Sequence, residues 1–350
     1  MDGRLKSTKA SRNILLIIME NSGYWASILK IFKSKLMNKN HLTNKAFIYA
    51  IVFISFIGGA CSQSMPEVEL NDEWKNKIYE LAPEEATYPF KEKKKVLVFS
   101  LHTGFWHWVN PHTEAMFKIL GEKSEAFEVS SSTDIAMMEK DKLKEFDLVI
   151  FNNTNSKPTY RNLFVDKLSE DESMDSVSVW KKAEELEKNV LNYVKKGGGF
   201  FVIHGGNTTF NNSMAFSELI GGSFDYHPKQ QPIHVRLVDH KHPLVQAFPA
   251  DGFVHTDEPY FYKNAYDALD FKPLLYFNNS EIEAQRKGQE LTEGVTYVAW
   301  IRKEGKGKVL YCAASHNAQS FENPDLLQFY LDGMQYLVGD VKVDETPIGK

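Results

Sequence analysis

Four nearly unbroken apolar runs frame the chain: 96–101 (Val-Leu-Val-Phe-Ser-Leu), 148–151 (Leu-Val-Ile-Phe), 200–203 (Phe-Phe-Val-Ile) and 309–313 (Val-Leu-Tyr-Cys-Ala). Runs this short and this continuous suit strands buried on both faces, as in a parallel sheet covered by helices. Helical patterns lie between them. After Pro111, the residues Ala115, Met116, Ile119 and Leu120 recur at 3–4 spacing, with Asn110 placed to cap the helix. From Val179 to Lys196, the residues Leu186, Val190, Leu191 and Val194 form a second stripe, which ends at Gly197-Gly198-Gly199. A glycine there fits the left-handed position that closes a helix. Shorter elements are a strand over Phe127–Ser130, a helix over Lys142–Phe146 and a helix over Met214–Ile220 stopped by Gly221-Gly222. Residues 156–178 read as a polar excursion.

The second half alternates more. Strands are predicted over Ile233–Val238, Pro273–Phe277 and Thr296–Ile301, with Gly305-Lys306-Gly307-Lys308 as a hairpin turn into the run at 309–313. Pro324–Val338 is the closing helix. Strand–helix alternation predicts an α/β domain over 95–339, its mostly parallel sheet lying between helices with right-handed crossovers and its C-terminal half β-rich. Residues 62–94 read as a linker with a short helix near Trp74–Leu81, and 340–350 as a loose tail.

The N-terminal residues read as an address. Lys39 and Lys45 precede an apolar run from Ala46 to Ile57, followed by Gly58-Gly59-Ala60-Cys61. This is the order of a secretory signal, and the run is short for a transmembrane helix. Small residues directly before Cys61 resemble a bacterial lipobox, with Gly58 where an aliphatic residue is usual. Segment 37–61 is therefore expected to export the protein across the inner membrane and to tether it through lipid on Cys61, as a periplasmic or outer-membrane lipoprotein. Residues 1–36 are read as an extension ahead of the true start at Met37. Cys312, the other cysteine, lies in an apolar run and reads as a buried, inert thiol.

A net charge of −5 gives no footprint for nucleic acid. No P-loop or dinucleotide fingerprint is present. The chemistry is suggested by where histidines fall. His102 and His107 follow the first run, His204 follows the third and His316 follows the last, at the rim where α/β sheets bind ligands. His227 and the pair Asp257-Glu258 lie in the second half. Three arrangements fit. A divalent metal could be held by His107, His204 or His316 with Asp257 or Glu258. A metal-free acid/base site could pair His204 or His316 with Glu258. A sugar site could use Trp106, Trp108, Tyr260 and Trp300 as stacking surfaces. The turn after residue 203 is placed like a nucleophile elbow, but holds His204 where serine or cysteine would stand.

The pieces Trp106-His107, Gly197-Gly198-Gly199 with Val202-Ile203-His204, Ile220-Gly221-Gly222-Ser223-Phe224 with His227-Pro228, His242-Pro243-Leu244, Asp257-Glu258-Pro259-Tyr260, Val298-Ala299-Trp300, and Gly305–Val309 leading to His316 together resemble the ThuA-like (trehalose-utilisation) family of the class I glutamine amidotransferase-like superfamily. The resemblance implies a flavodoxin-like three-layer fold and a role in carbohydrate utilisation, on disaccharides or keto-sugar derivatives. It does not imply amidotransferase activity, because His204 replaces the elbow cysteine. It marks His204, His316, Glu258 and Asp257 as candidate catalytic residues. Trp106, His107, His227, Tyr260 and Trp300 are candidates for substrate binding, and His107, His204, His316 and Asp257 for metal. The expected ligand is a small carbohydrate, and the expected chemistry is that of a hydrolase or lyase. The alternative is a non-catalytic carbohydrate-binding lipoprotein.

Overall fold

The structure is a computed structural model that describes residues 65–283 and 293–349. The signal segment, Cys61 and the residues ahead of Met37 lie outside the described residues. No helix among the described residues is long and apolar enough to cross a membrane.

The described residues form a mixed α/β fold with seven α-helices and a large sheet that is parallel in one half and antiparallel in the other. Strands β1 (Lys94–Phe99), β2 (Phe127–Ser132), β3 (Leu148–Asn152), β4 (Gly199–Ile203) and β11 (Gly307–Cys312) run parallel in the order β2-β1-β3-β4-β11. The sheet then continues antiparallel through β10 (Val295–Glu304), β9 (Lys272–Asn278), β6 (Gln231–Leu237) and β7 (Phe253–Asp257). A separate two-stranded ribbon joins β5 (Ser223–Tyr226) to β8 (Phe261–Lys263).

Strand periodicity explains why the four apolar runs carry no polar face. On β4, Phe201 meets Phe117 of helix α2 (Asn110–Ser124) and Tyr330 of α7 (Pro324–Val338). Its neighbour Phe200 points the other way, onto Phe216 of α6 (Met214–Ile220). Helix α5 (Ser176–Lys195) packs with α6 and β11. Both sheet faces are therefore covered, and every residue of β3 and β4 is buried. Gly197 closes α5 in the left-handed region, at φ +121°, and Gly305-Lys306 forms the predicted tight turn between β10 and β11. Cys312 is fully buried, and burial pushes its thiol up to about 12.

Several expectations are corrected. Asn110 is the first residue of α2 rather than its cap; it is buried, and its carbonyl accepts from Asn152 Nδ2 at 3.1 Å. Residues 156–178 hold a further helix, α4 (Leu163–Leu168), whose Leu163, Phe164 and Val165 are buried. The described part of the predicted loose tail, 340–349, is not loose but packed: Ile348 and Gly349 donate to Phe271 and Leu269, and Asp344 meets Lys272 at 2.5 Å. Nor is the stretch before β1 a free linker. Its helix α1 (Asp72–Leu81) buries Trp74 and Ile78, and Lys123 Nζ donates to the carbonyls of Tyr79 and Ala82 at 2.8 Å.

The same stretch is fastened to α7. Tyr88 N donates to Gln335 Oε1 at 3.0 Å, while Thr87 Oγ1 and Gln328 Nε2 both donate to Asp332 Oδ1. Burial pushes the Asp332 carboxyl up to about 6 against those two hydrogen bonds. The folded state therefore holds this proton more tightly than the unfolded chain, so the group makes stability fall as pH rises from about 4 to about 6. Asp332→Asn keeps the acceptor and removes the charge. It is expected to stabilise the protein by up to about 3 kcal/mol near neutral pH and to change little near pH 4. Urea unfolding at both pH values checks this.

Candidate active site

Strand sense decides what meets at the rim. The carboxyl ends of β1, β3, β4 and β11 share one edge because these strands are parallel. Four successive antiparallel pairings, from β11 through β10, β9 and β6 to β7, restore the original sense. The carboxyl end of β7, with Asp257 and Glu258, therefore faces the same edge. Ligand sites in open α/β sheets lie at this edge.

Glu258 is the hub. Its Oε2 lies 3.2 Å from His316 Nδ1, 3.4 Å from His204 Nε2 and 3.7 Å from His227 Nε2, and His204 Nε2 lies 3.1 Å from His316 Nδ1. Backbone carbonyls orient two of these rings. His204 Nδ1 donates to Ala313 O at 2.7 Å and His227 Nδ1 to Pro228 O at 2.8 Å, so each presents Nε2 toward Glu258. His204 itself sits at φ +43°, a left-handed conformation costly for a residue with a Cβ. The third side chain is brought close by a glycine: a Cβ on Gly205 would stand 3.0 Å from His107 Cε1.

Burial alone would raise the Glu258 carboxyl, but hydrogen bonds to His204 and His316 outweigh it and hold the group well below the usual carboxylate range. Burial likewise works against charge on His316, and Glu258 overcomes it, leaving this imidazole raised. His107 goes the other way: burial, followed by repulsion from His204 and His316, keeps it well below the usual value and neutral. The site thus holds one ionised carboxylate, one imidazole that favours its proton and one that refuses it. Three lone-pair atoms 3.1–3.4 Å apart repel unless a positive centre lies among them. That centre is a shared proton or a metal ion.

The donor set suits either. His107, His204 and His316 each offer a nitrogen, all within 4.8 Å of one another. Imidazole with carboxylate is a common set for zinc and iron. The sides of the Glu258–His204–His316 triangle approach the roughly 3.4 Å that separates two ligands of a tetrahedral ion at ~2.1 Å. Asp257 offers no ligand atom to this cluster. Its Oδ1 accepts from Glu258 N at 2.7 Å and its Oδ2 from His316 N at 3.3 Å. It holds Glu258 and His316 in register, with His255 Nδ1 at 3.6 Å behind it.

A cleft of about 680 Å³ opens onto this cluster. Phe105, His107, Phe224, His227, Glu258 and Tyr260 line it, while His204 and His316, 0% and 5% exposed, are buried behind Glu258. Tyr260 packs its ring 4.2 Å from His204 and 5.5 Å from His227. Trp106 is exposed and packs against His102, ring centroids 4.8 Å apart, so the exposed aromatic beside His107 in the cleft is Phe105. Trp300 is a core residue: fully buried, it donates Nε1 to Ile220 O and stacks on Phe271. Sequence reading missed Phe105, Phe224, Asn155 and the cations Lys157, Arg161 and Lys263 of the cleft wall. Only the Gly104-Phe105 step beside His107 carried a local signal, because the others come from three separate segments.

Among curated protein sequences none matches the chain. Among solved structures, a ThuA-like protein from Bacteroides uniformis superposes with a TM-score of 0.54 at 18% identity, over 72% of this chain and 94% of the other. A ThuA-like protein from Parabacteroides merdae gives 0.51 at 16% identity, over 73% and 94%. At these identities the likeness is one of fold. The model of the ThuA family, described as trehalose utilisation, matches residues 95–337. That span is well over half of the sequence, and the chain belongs to the ThuA family.

Proposed function

We propose that this protein is an enzyme of carbohydrate utilisation acting on a disaccharide or keto-sugar glycoside by hydrolase- or lyase-type chemistry. Family membership ties it to carbohydrate. The single observation supporting catalysis is the Glu258 carboxylate at the floor of the cleft with three imidazole nitrogens within 3.7 Å. Three imidazoles around one carboxylate, two of them oriented by backbone carbonyls, are costly as mere structure, and perturbed groups cluster at catalytic sites.

In the eliminative form of this reading, the substrate carries a ketone whose neighbouring C–H is acidified. His227 Nε2, oriented by Pro228 O and open to the cleft, accepts that proton. The C–H electron pair forms the new double bond as the glycosidic C–O bond breaks. The leaving oxygen takes the proton shared by His316 and Glu258. His204 holds this pair in place from below, and Asp257 positions both members through their backbone amides. In the metal scheme, a divalent ion would instead be held by His107, His204 and His316, taking the place of that shared proton, and would supply Lewis-acid polarisation of the ketone oxygen.

The sheet order β2-β1-β3-β4-β11 matches the flavodoxin-like order, and we read the parallel half as that fold. Export and lipid attachment at Cys61 remain part of the proposal, resting on segment 37–61 alone.

The purified protein should convert disaccharide 3-keto derivatives, and elemental analysis with and without chelator treatment separates the proton and metal schemes. Tight sugar binding without turnover under every metal condition favours the binding-lipoprotein alternative and overturns the enzymatic one.

A further inference from the structure

We infer that the outer wall of the cleft recognises an anionic group, a carboxylate or a phosphate, on the substrate; this rests on the carbohydrate reading of the same cleft. Lys157, Arg161 and Lys263 line the same cleft as Glu258. Lys263 is met by Asp225 at 3.6 Å, whereas Lys157 and Arg161 have no ion-pair partner among the described residues. Their clustering runs against the net charge of −5 of the chain. The negative charge in the floor does not answer them, because the histidines engage Glu258.

The segment carrying the two free cations is built rather than loose. Asp166 Oδ2 accepts from Lys157 N at 2.6 Å and from Thr103 Oγ1 at 2.7 Å. Ser156 Oγ donates to Thr208 O at 3.1 Å, and Asn155 bridges β-fashion to His102 and Thr208. Arg161 adopts a left-handed backbone, φ +52°, and its carbonyl is held by Asn212 N at 3.2 Å. A strained non-glycine conformation persists where surrounding contacts over-determine it, typically at binding sites. Here it sets a guanidinium, a bidentate partner for carboxylate and phosphate, in the cleft wall.

Calorimetry on the full chain with glucose, glucuronate, glucose 6-phosphate and inorganic phosphate tests this. Wild type is expected to bind at least one anionic sugar about tenfold tighter than glucose at low salt, with the preference shrinking as salt rises. The two anionic arms tell carboxylate from phosphate. The variant Lys157→Gln/Arg161→Gln, with an unchanged circular-dichroism spectrum, should bind the anionic sugars no more tightly than glucose. Equal affinity of wild type for glucose and both anionic sugars, or binding of none of the probes, overturns the inference. Binding of phosphate with no sugar preference keeps the anion site and instead removes the carbohydrate reading.

Discussion

Glu258→Gln is expected to lower turnover of a keto-disaccharide by about 10²–10⁴-fold, the range typical of a lost acid/base group. The substitution keeps the shape and removes the charge around which His204, His227 and His316 are arranged. Its signature reaches beyond rate. His316 has a raised pKa, so its contribution to stability is complete below the ordinary histidine pKa and is lost as pH climbs through the raised value. Glu258 is depressed, so its contribution is complete above the ordinary carboxylate pKa and is lost as pH falls toward the depressed value. In wild type the pair therefore stabilises most between those limits. Thermal melts across pH should show that plateau, and it should flatten in the variant. NMR titration should find the His316 pKa lower. Full turnover with a shifted His316 titration would remove Glu258 from the chemistry while leaving the electrostatics intact.

Trp300→Ala is expected to cost about 3–5 kcal/mol of stability, a large share of the ~5–15 kcal/mol that holds most domains together. The ring is fully buried, lies 4.7 Å from Phe271 and 4.4 Å from Tyr311, and spends its one donor on Ile220 O at 2.7 Å. Truncation leaves both a cavity and an unpaired carbonyl. Chemical denaturation measures the loss. If stability holds and sugar affinity alone collapses, Trp300 belongs to the binding surface after all. The motif containing Trp300 is thus a packing motif. In the linear sequence it cannot be told from a stacking platform, because burial depends on what lies opposite.

The apolar runs, helix stripes and glycine stops were legible because they are local. Pro324–Val338 and Met214–Ile220 occur as helices at the predicted bounds, and Gly197 and Gly221 take the left-handed conformations expected of them. Strands β5, β7 and β8 were not legible. They are short, with mixed burial patterns, and exist because a neighbour supplies hydrogen bonds. The packing of residues 65–94 and 340–349 was hidden for the same reason, since polar side chains such as Thr87, Asp332 and Lys272 bond to residues far away in sequence.

Sequence alone determined that histidines would stand after buried strands, and that Asp257-Glu258 would be the acidic pair to watch. Only the tertiary structure decided between those two acids: Glu258 faces the cleft, while Asp257 spends its oxygens on backbone amides. It alone put His204 behind the site, His227 at its mouth and unpaired cations along its wall. The reason is physical. Residue order fixes which groups a strand end offers, but the sense and pairing of strands far apart in the chain fix which of those offers converge on one point.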